Sequence, residues 1–394
     1  MARTLKPSTG QDVVDAVGQA AAAGRRLEIR GGGSKALFGA PNRRADLLDM
    51  RAFGAVIDYD PAELVLTTGA GTPLSVIQAL VASEGQMLAF EPFDHGALYG
   101  RSSGAATIGG VVAAGVAGSR RVSAGAARDH LLGFKGVSGR GEAFVAGAKV
   151  VKNVTGYDLP KLICGSWGRL AALTEVTLKV LPRGREQATL MVEGLSPEQA
   201  HRLMARAMAS HADVSAAAHM PTGALGAKAV TAIRLEGFGP SVAARSAMLI
   251  AMGDPEHPVF VAPPADAAAF WKNLRDLTPL ASNATLWRIN VPPSRGCSVV
   301  AALEPLGAAW LFDWAGGLVW LGVDCDPRLV RAAAAAAGGH ATLAKGSVAL
   351  RAHVPALHPP ANGVAALEAR VRRAFDPSGV FETGRFLEAA PHAD

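Results

Sequence analysis

Apolar positions along the chain change period several times, and each change marks an element. Val13, Val14, Val17 and Ala20 recur at helical spacing behind the capping candidates Ser8 and Thr9, which predicts a helix over 9–24 and a short strand over 27–30. Further short strands are predicted at 46–50, 55–59 and 64–68. Residues 73–83 read as an amphipathic helix with Leu74, Ile77, Leu80 and Val81 on one face. A strand at 88–92 stops at Pro92. Residues 147–152 read as strand, 152–158 as a loop, 159–163 as a helix start and 172–181 as a strand closed by Pro182.

From Arg185 the rhythm is different. Strands at 188–192, 214–220, 230–236, 285–291, 309–314, 318–323 and 348–353 alternate with helices at 197–211, 240–251, 265–277, 296–303 and 327–337. This alternation with antiparallel returns predicts a ferredoxin-like α+β fold built from paired halves. A last helix, 364–374, carries Leu367 and Val371 on one face with Asn362 as its capping candidate.

Between Arg101 and Arg120 lies an uncharged, glycine-rich run, 102–119. Glycine, serine and threonine dilute its apolar residues, whereas a bilayer span needs about 20 predominantly apolar ones. Glycine also lets a backbone approach a ligand closely, so a buried ligand-contacting loop is the expectation. Backbone N–H donors exposed by small residues, with the Thr107 hydroxyl, suit a diphosphate; a tight turn between strands is the alternative. Gly31-Gly32-Gly33-Ser34-Lys35, directly after the strand at 27–30, offers the same donors plus a hydroxyl and a cation. It is neither a Walker A loop nor a Rossmann fingerprint.

Composition narrows the class. With 394 residues, 49% hydrophobic and 18% charged, the chain has enough apolar surface for more than one folded lobe. Its net charge of +6 comes from scattered basic residues, without aromatic-interleaved basic runs or zinc-finger spacing. Nucleic acid is therefore excluded as the expected partner, and anionic cofactors and substrates are favoured. Cys164, Cys297 and Cys325 are too far apart for a disulfide framework or an iron–sulfur or zinc site, which fits a reducing cytoplasm. No signal-peptide core or convincing span is present, so membrane contact is expected to be peripheral at most.

The motifs Thr107-Ile108-Gly109-Gly110, Arg128-Asp129, Lys152-Asn153-Val154-Thr155-Gly156-Tyr157-Asp158 and Gly165-Ser166-Trp167-Gly168 follow one another in order. Together they resemble the FAD-binding domain of the vanillyl-alcohol oxidase and p-cresol methylhydroxylase type, and more narrowly the FAD-binding subunits of bacterial glycolate oxidases. The ending Phe375-Asp376-Pro377-Ser378-Gly379-Val380-Phe381-Glu382-Thr383-Gly384-Arg385 resembles the closing phrase of that family. The resemblance implies a two-subdomain FAD-binding domain over 1–184, an α+β cap over 185–353 and a C-terminal segment, 354–394, returning to the first domain.

It also implies a set of cofactor contacts. These are Gly31, Gly32, Gly33, Ser34 and Lys35 as the first phosphate loop, Pro92 beside the isoalloxazine ring, Thr107, Ile108, Gly109 and Gly110, then Gly118 and Ser119, Arg128, and Lys152, Gly156, Tyr157 and Asp158 near the flavin. Lys152 would stabilise negative charge on the reduced ring, or else pair with an aspartate across a turn. Arg128 would meet a phosphate, a carboxylate or a partner, or else pair with Asp129. Ser34 stands where some relatives carry a flavin-linking histidine, so FAD is expected to be non-covalent. His95 reads as a solvated loop residue.

Related 2-hydroxy-acid dehydrogenases carry a His-x-Gly-Asp-Gly-Asn-x-His run that holds a divalent metal, and this sequence has none. His353 and His358 have no nearby carboxylate, so no metal site is expected. Three functional readings follow. In the first, the chain is a redox subunit of a glycolate-oxidising complex, beside a catalytic FAD subunit and an iron–sulfur subunit. In the second, it is a stand-alone dehydrogenase of D-lactate type, with Arg288 or Arg295 binding the carboxylate of a small 2-hydroxy acid and Tyr157 assisting at the hydroxyl. In the third, it is a non-catalytic scaffold holding FAD.

Overall fold

The computed structural model describes residues 2–41, 44–101, 104–147, 156–224 and 226–387. Contacts divide the chain into two units, the first made of 1–117, 125–182 and 359–394, the second of 118–124 and 183–358.

In the first unit, helix Gly10–Ala22 opens on a capping box. The Thr9 hydroxyl accepts from Asp12 N (3.1 Å) and the Asp12 carboxylate accepts from Thr9 N (2.9 Å), an arrangement worth about 1 kcal/mol. Val13, Val17 and Ala20 bury one face of the helix. They share a core with Leu27 and Leu48 of a small parallel sheet, ordered Thr4–Leu5, Asp46–Asp49, Leu27–Arg30, and with Val380 and Phe381 from the chain's end. A five-stranded antiparallel sheet forms the other subdomain, in the order Val56–Asp60, Val65–Gly69, Ala171–Lys179, Leu131–Ser138, Ala143–Gly147. Helices Leu74–Ser83 and Ile108–Ala114 supply the wholly buried Ile77 and Ile108, each contributing about 1.5–3 kcal/mol by leaving water.

Three expectations change here, and one strand appears that the sequence did not predict. The glycine-rich run is not loop throughout: Thr107 caps a helix over Ile108–Ala114, and Gly115 ends it in the left-handed conformation. Strand 88–92 does not form; only Gln86–Met87 pairs, with Leu181–Pro182, before the chain turns through Glu91 at φ 49°. Leu131–Ser138 is a strand that its glycines conceal, and Gly136 is needed there because a Cβ would stand 3.0 Å from the carbonyl oxygen of Ala172. The last helix runs Asn362–Phe375, so Asn362 lies inside it and the N-cap is Ala361, without a side-chain bond.

The second unit is one eight-stranded sheet assembled from two equivalent halves. In the first, Glu186–Glu193, helix Pro197–Met208, Ala216–Met220, Val230–Gly237, helix Gly239–Ile250 and Phe260–Val261 follow the ferredoxin-like order 4-1-3-2. In the second, Leu286–Asn290, helix Gly296–Leu303, Ala309–Asp313, Leu318–Gly322, helix Pro327–Ala336 and His340–Lys345 repeat that order. The halves meet where His219 pairs with Phe312. The segment 348–353 is a helix, not a strand, because the Ser347 hydroxyl accepts from Leu350 N (3.1 Å) and starts it; the edge strand is His340–Lys345. Residues 354–358 remain with this unit, where Leu343 N donates to Ala356 O (2.8 Å) and Arg331 donates to the Pro355 carbonyl. Residues 118–124 join it through Arg120 paired with Glu236 and Ser123 Oγ donating to Ser215 O (3.0 Å). Among the described residues, no helix is long and apolar enough to cross a membrane.

At the seam the fully buried His219 ring stacks on Trp310 and shares a hydrogen bond with the Thr231 hydroxyl (2.9 Å). Burial pushes its pKa down to about 4. Below pH about 6.5 the unfolded chain takes up a proton that the folded chain refuses until about pH 4, so acid should remove up to about 3 kcal/mol from this unit across that window. Acid titration followed by near-ultraviolet circular dichroism should show a His219→Gln variant lacking this part of the transition; superimposable curves would refute the assignment.

Candidate functional site

Strand Leu27–Arg30 of the small sheet delivers the chain into a turn, 31–40, that packs directly on the stretch before helix Ile108–Ala114. A Cβ on Gly32 would stand far inside van der Waals contact distance of the Ala105 carbonyl oxygen, and one on Gly31 far inside that of the Thr107 hydroxyl. Only glycine permits so close an approach. Asp94 organises the facing loop, its carboxylate accepting from Gly96 N (2.8 Å), Gly104 N (2.8 Å) and Ala106 N (3.0 Å).

These elements line a cleft of about 740 Å³, counted to its open mouth, within the size range of small-molecule and cofactor sites. Gly31 to Lys35, Thr107, Gly109 and Gly110 contribute to its wall, as do Trp167, Gly168 and Arg385. Lys35 is the buried cation of the cleft, 8% exposed, with Nζ 3.3 Å from Ser34 Oγ. Burial chiefly, and the Arg385 guanidinium in addition, push its pKa down to about 8, while Asp94 works in the opposite direction.

Arg385 arrives from the far end of the chain. Its Nε donates to Phe38 O (2.7 Å), a second nitrogen donates to Lys35 O, and its own carbonyl accepts from Ala40 N (2.8 Å). Phe38 stacks on Trp167 at 4.1 Å, 6° from parallel, and Phe386 leans on both rings. Neither Arg385 nor Trp167 was singled out as a contact from sequence, although both lie within quoted motifs. An arginine ending a segment that returns to the phosphate loop, and an aromatic between glycines, were the available signals.

The Thr107–Gly110 run works otherwise than an array of open donors. Ile108 N donates to Thr72 O (3.0 Å), Gly109 N to Ala70 O (2.8 Å) and Gly110 N to Thr107 Oγ1 (3.4 Å). What the run offers the cleft is backbone without side-chain bulk, while the Ile108 side chain is core.

The remaining expected contacts are elsewhere. Pro92 is buried, its carbonyl accepting from Gln78 Nε2 (3.1 Å). His95 is half-buried and stacked on Phe93 at 4.7 Å, so it is not a freely solvated loop residue. Arg128 lies 3.8 Å from its neighbour Asp129. Asp158 caps helix Leu159–Ile163 and pairs with Lys161 (2.8 Å), which holds its carboxyl below the usual range. Gly156 precedes it at φ 89°, and Tyr157 is 91% exposed. Lys152 lies outside the described residues.

Gly118, Ser119 and Arg288 belong to the second unit. There Gly118 O accepts from Trp314 Nε1 (3.0 Å) and Ser119 Oγ donates to Asp313 (2.9 Å). Arg288 and Arg121 both stand over the Trp314 ring, at 5.0 and 4.3 Å from its centroid. Arg288 donates to Asn290 Oδ1 (2.8 Å), and burial with the neighbouring Arg121 pushes its pKa down to about 10, still cationic at neutral pH. Among the described residues no group of three histidine, cysteine, aspartate or glutamate side chains is placed to hold a metal ion.

Comparison with known proteins bears on this cleft. The family model for the FAD binding domain (FAD_binding_4) matches residues 1–147. The chain is 35% identical to glycolate oxidase subunit GlcE of Escherichia coli (strain K12) over 377 residues, 95% of this chain and 96% of that protein. It is 29% identical to the D-lactate dehydrogenase of Archaeoglobus fulgidus, over 48% of this chain and 40% of that one. It is 30% identical to glycolate oxidase subunit GlcD of Bacillus subtilis (strain 168), over 41% of this chain and 33% of that one. A solved structure of alkyldihydroxyacetonephosphate synthase shares the fold, with a TM-score of 0.68 at 15% identity, over 96% of this chain and 76% of that one. The cleft fits the group that the family model names: a buried lysine beneath side-chain-free glycine backbone suits a diphosphate, which needs charge and close approach together.

Proposed function

Because this chain belongs to the family of FAD-linked oxidoreductases that contains glycolate oxidase subunit GlcE, we propose that it is the FAD-binding redox subunit of a complex that oxidises a small 2-hydroxy acid of glycolate type. A catalytic FAD subunit, similar to the GlcD relative, and an iron–sulfur subunit are its proposed partners. When bound, FAD would supply the two-electron redox chemistry that a relay towards the iron–sulfur subunit needs. The observation that carries the reading is the buried Lys35 in a cleft walled by Gly31, Gly32, Gly33 and Gly110.

Each residue has a defined part in this reading. Lys35 and Ser34 would hold the diphosphate, Gly109 and Gly110 would admit it without side-chain bulk, and Trp167 and Gly168 would complete the lining. No histidine occupies the loop, which supports non-covalent attachment. The relay role, as opposed to direct oxidation of the acid, rests on the sequence lacking the family's metal-binding histidine run.

The test is a visible spectrum of the purified chain under anaerobic glycolate and then D-lactate. The flavin band is expected to persist until the partner subunits are added. Bleaching by either acid alone would replace the relay by direct oxidation, and a chain that takes up no FAD on reconstitution would remove the cofactor assignment. A flavin that partners and substrate together leave oxidised would make it a scaffold.

One observation favours the stand-alone reading. Arg121 and Arg288 converge over the Trp314 ring, with Asp313 acting on Arg288, and two guanidinium groups so placed suit a substrate carboxylate. On that reading Arg288→Lys would raise the KM of an active isolated chain about tenfold, through loss of about 1.4 kcal/mol of bidentate binding.

A further inference from the structure

The turn that carries Lys35 is fastened by the last described residues of the chain. Arg385 donates to the carbonyls of both Lys35 and Phe38, so one planar guanidinium spans the turn and fixes where it can lie. The return bond, from Ala40 N to Arg385 O, closes the same junction from the other side. Gly39 at φ 77° leaves no space there: a Cβ would stand 2.6 Å from Arg385 O. The segment before Arg385 is itself anchored independently of the turn. Asp376 accepts from Val380 N and Phe381 N (both 2.8 Å), Leu27 N donates to Val380 O (2.8 Å), and Arg169 forms a two-pronged pair with Glu382 (2.9 Å).

We propose that Arg385 is a positioning residue for the cofactor, holding the 31–40 turn in its cleft-lining form so that retention of FAD depends on the C-terminal segment. The proposal rests on the FAD reading above and deepens it. Lys35 is the group that meets the diphosphate, and its backbone is the one Arg385 grips. Because the Leu27–Val380 bond and the Arg169–Glu382 pair hold the segment separately, loss of Arg385 frees the turn without releasing the segment. The defect is therefore confined to the part of FAD that the turn contacts.

The experiment uses the full chain and three probes, FAD, ADP and riboflavin, titrated by calorimetry into the cofactor-stripped protein, with far-ultraviolet circular dichroism as the control for folding. Arg385→Ala should weaken FAD and ADP by about 10- to 100-fold, the range for losing a hydrogen bond to a charged group, and leave riboflavin unchanged. Arg385→Lys, which keeps the charge and loses the fork, should recover part of the ADP affinity. Gly39→Ala, which displaces Arg385 without altering any charge, should give the same selective loss and serves where Arg385→Ala does not fold. Wild-type binding of FAD and ADP that all three variants leave intact overturns the proposal alone. Equal weakening of ADP and riboflavin also overturns it, because that marks a general loss of fold. A wild-type chain that binds neither FAD nor ADP overturns the FAD reading and this proposal with it.

Discussion

Replacing Lys35 by methionine is expected to stabilise the cofactor-free chain while weakening FAD. Burial lowers the Lys35 pKa from 10.5 to about 8, so at neutral pH the folded chain carries a charge it holds at a cost of about 3 kcal/mol. Lys35→Met removes that cost and keeps the aliphatic stem, so chemical denaturation of the cofactor-free protein should give a higher midpoint. The same change deletes the cation beneath the diphosphate, and FAD affinity should fall about 10- to 100-fold, as for a lost charged hydrogen bond. The pH dependence has a definite sign. Below pH about 8 Lys35 is charged and wild-type affinity is constant; above it the free chain loses the proton that the diphosphate requires, and affinity declines by up to about tenfold per unit. The variant's affinity should be flat across that range. A wild-type profile that is also flat, or a variant less stable than wild type, would remove Lys35 from the role given to it.

Gly32→Ala should have the largest structural effect of any glycine-to-alanine change in the chain. The new carbon would collide with the backbone of Ala105, which no rotamer change relieves. Separating 31–35 from 104–107 disturbs Ala106, whose N–H is held by Asp94 and whose carbonyl accepts from Leu74 N. A destabilisation of about 2–4 kcal/mol is expected, in the upper range for overpacking because the obstacle is main chain. Thermal melting of the cofactor-free protein should show it, with FAD uptake abolished in whatever remains folded. Gly10→Ala is the control: a Cβ there meets nothing within 4 Å. Equal melting of the two variants would show that the two loops are not in contact.

Elements whose signals are local were legible. The capping box at Thr9 starts its helix where that residue stands, and the paired ferredoxin-like halves follow from alternation alone. One misreading is local and the other distant. Val348–His353, with Val348 as its one β-branched residue, is a helix because the Ser347 hydroxyl ahead of it accepts from Leu350 N, a capping signal that was present and passed over. Leu131–Ser138 is a strand because it is paired on both sides, by Ala143–Gly147 and Ala171–Lys179, and nothing in its own glycine-rich composition says so. At the site, the glycine loops and Lys35 were recognisable as residue types suited to diphosphate. That Thr72 and Ala70 take up the Ile108 and Gly109 donors, and that Arg385 grips the Lys35 backbone, are pairings across tens to hundreds of residues that no local pattern encodes.

The separation of 350 residues between Lys35 and Arg385 also imposes an order on biosynthesis. At about 5–20 residues per second, some 20–70 s pass between translation of the phosphate loop and of the arginine that fastens it, and domains fold as they emerge. Residues 183–358 form a continuous block of the second unit and are all translated before the closing segment. The nascent first unit thus waits, with its loop unfastened, until Arg385 has been made, and a ribosome that stops anywhere between codons 359 and 384 releases a chain with the second unit's residues and an unlatched cofactor cleft.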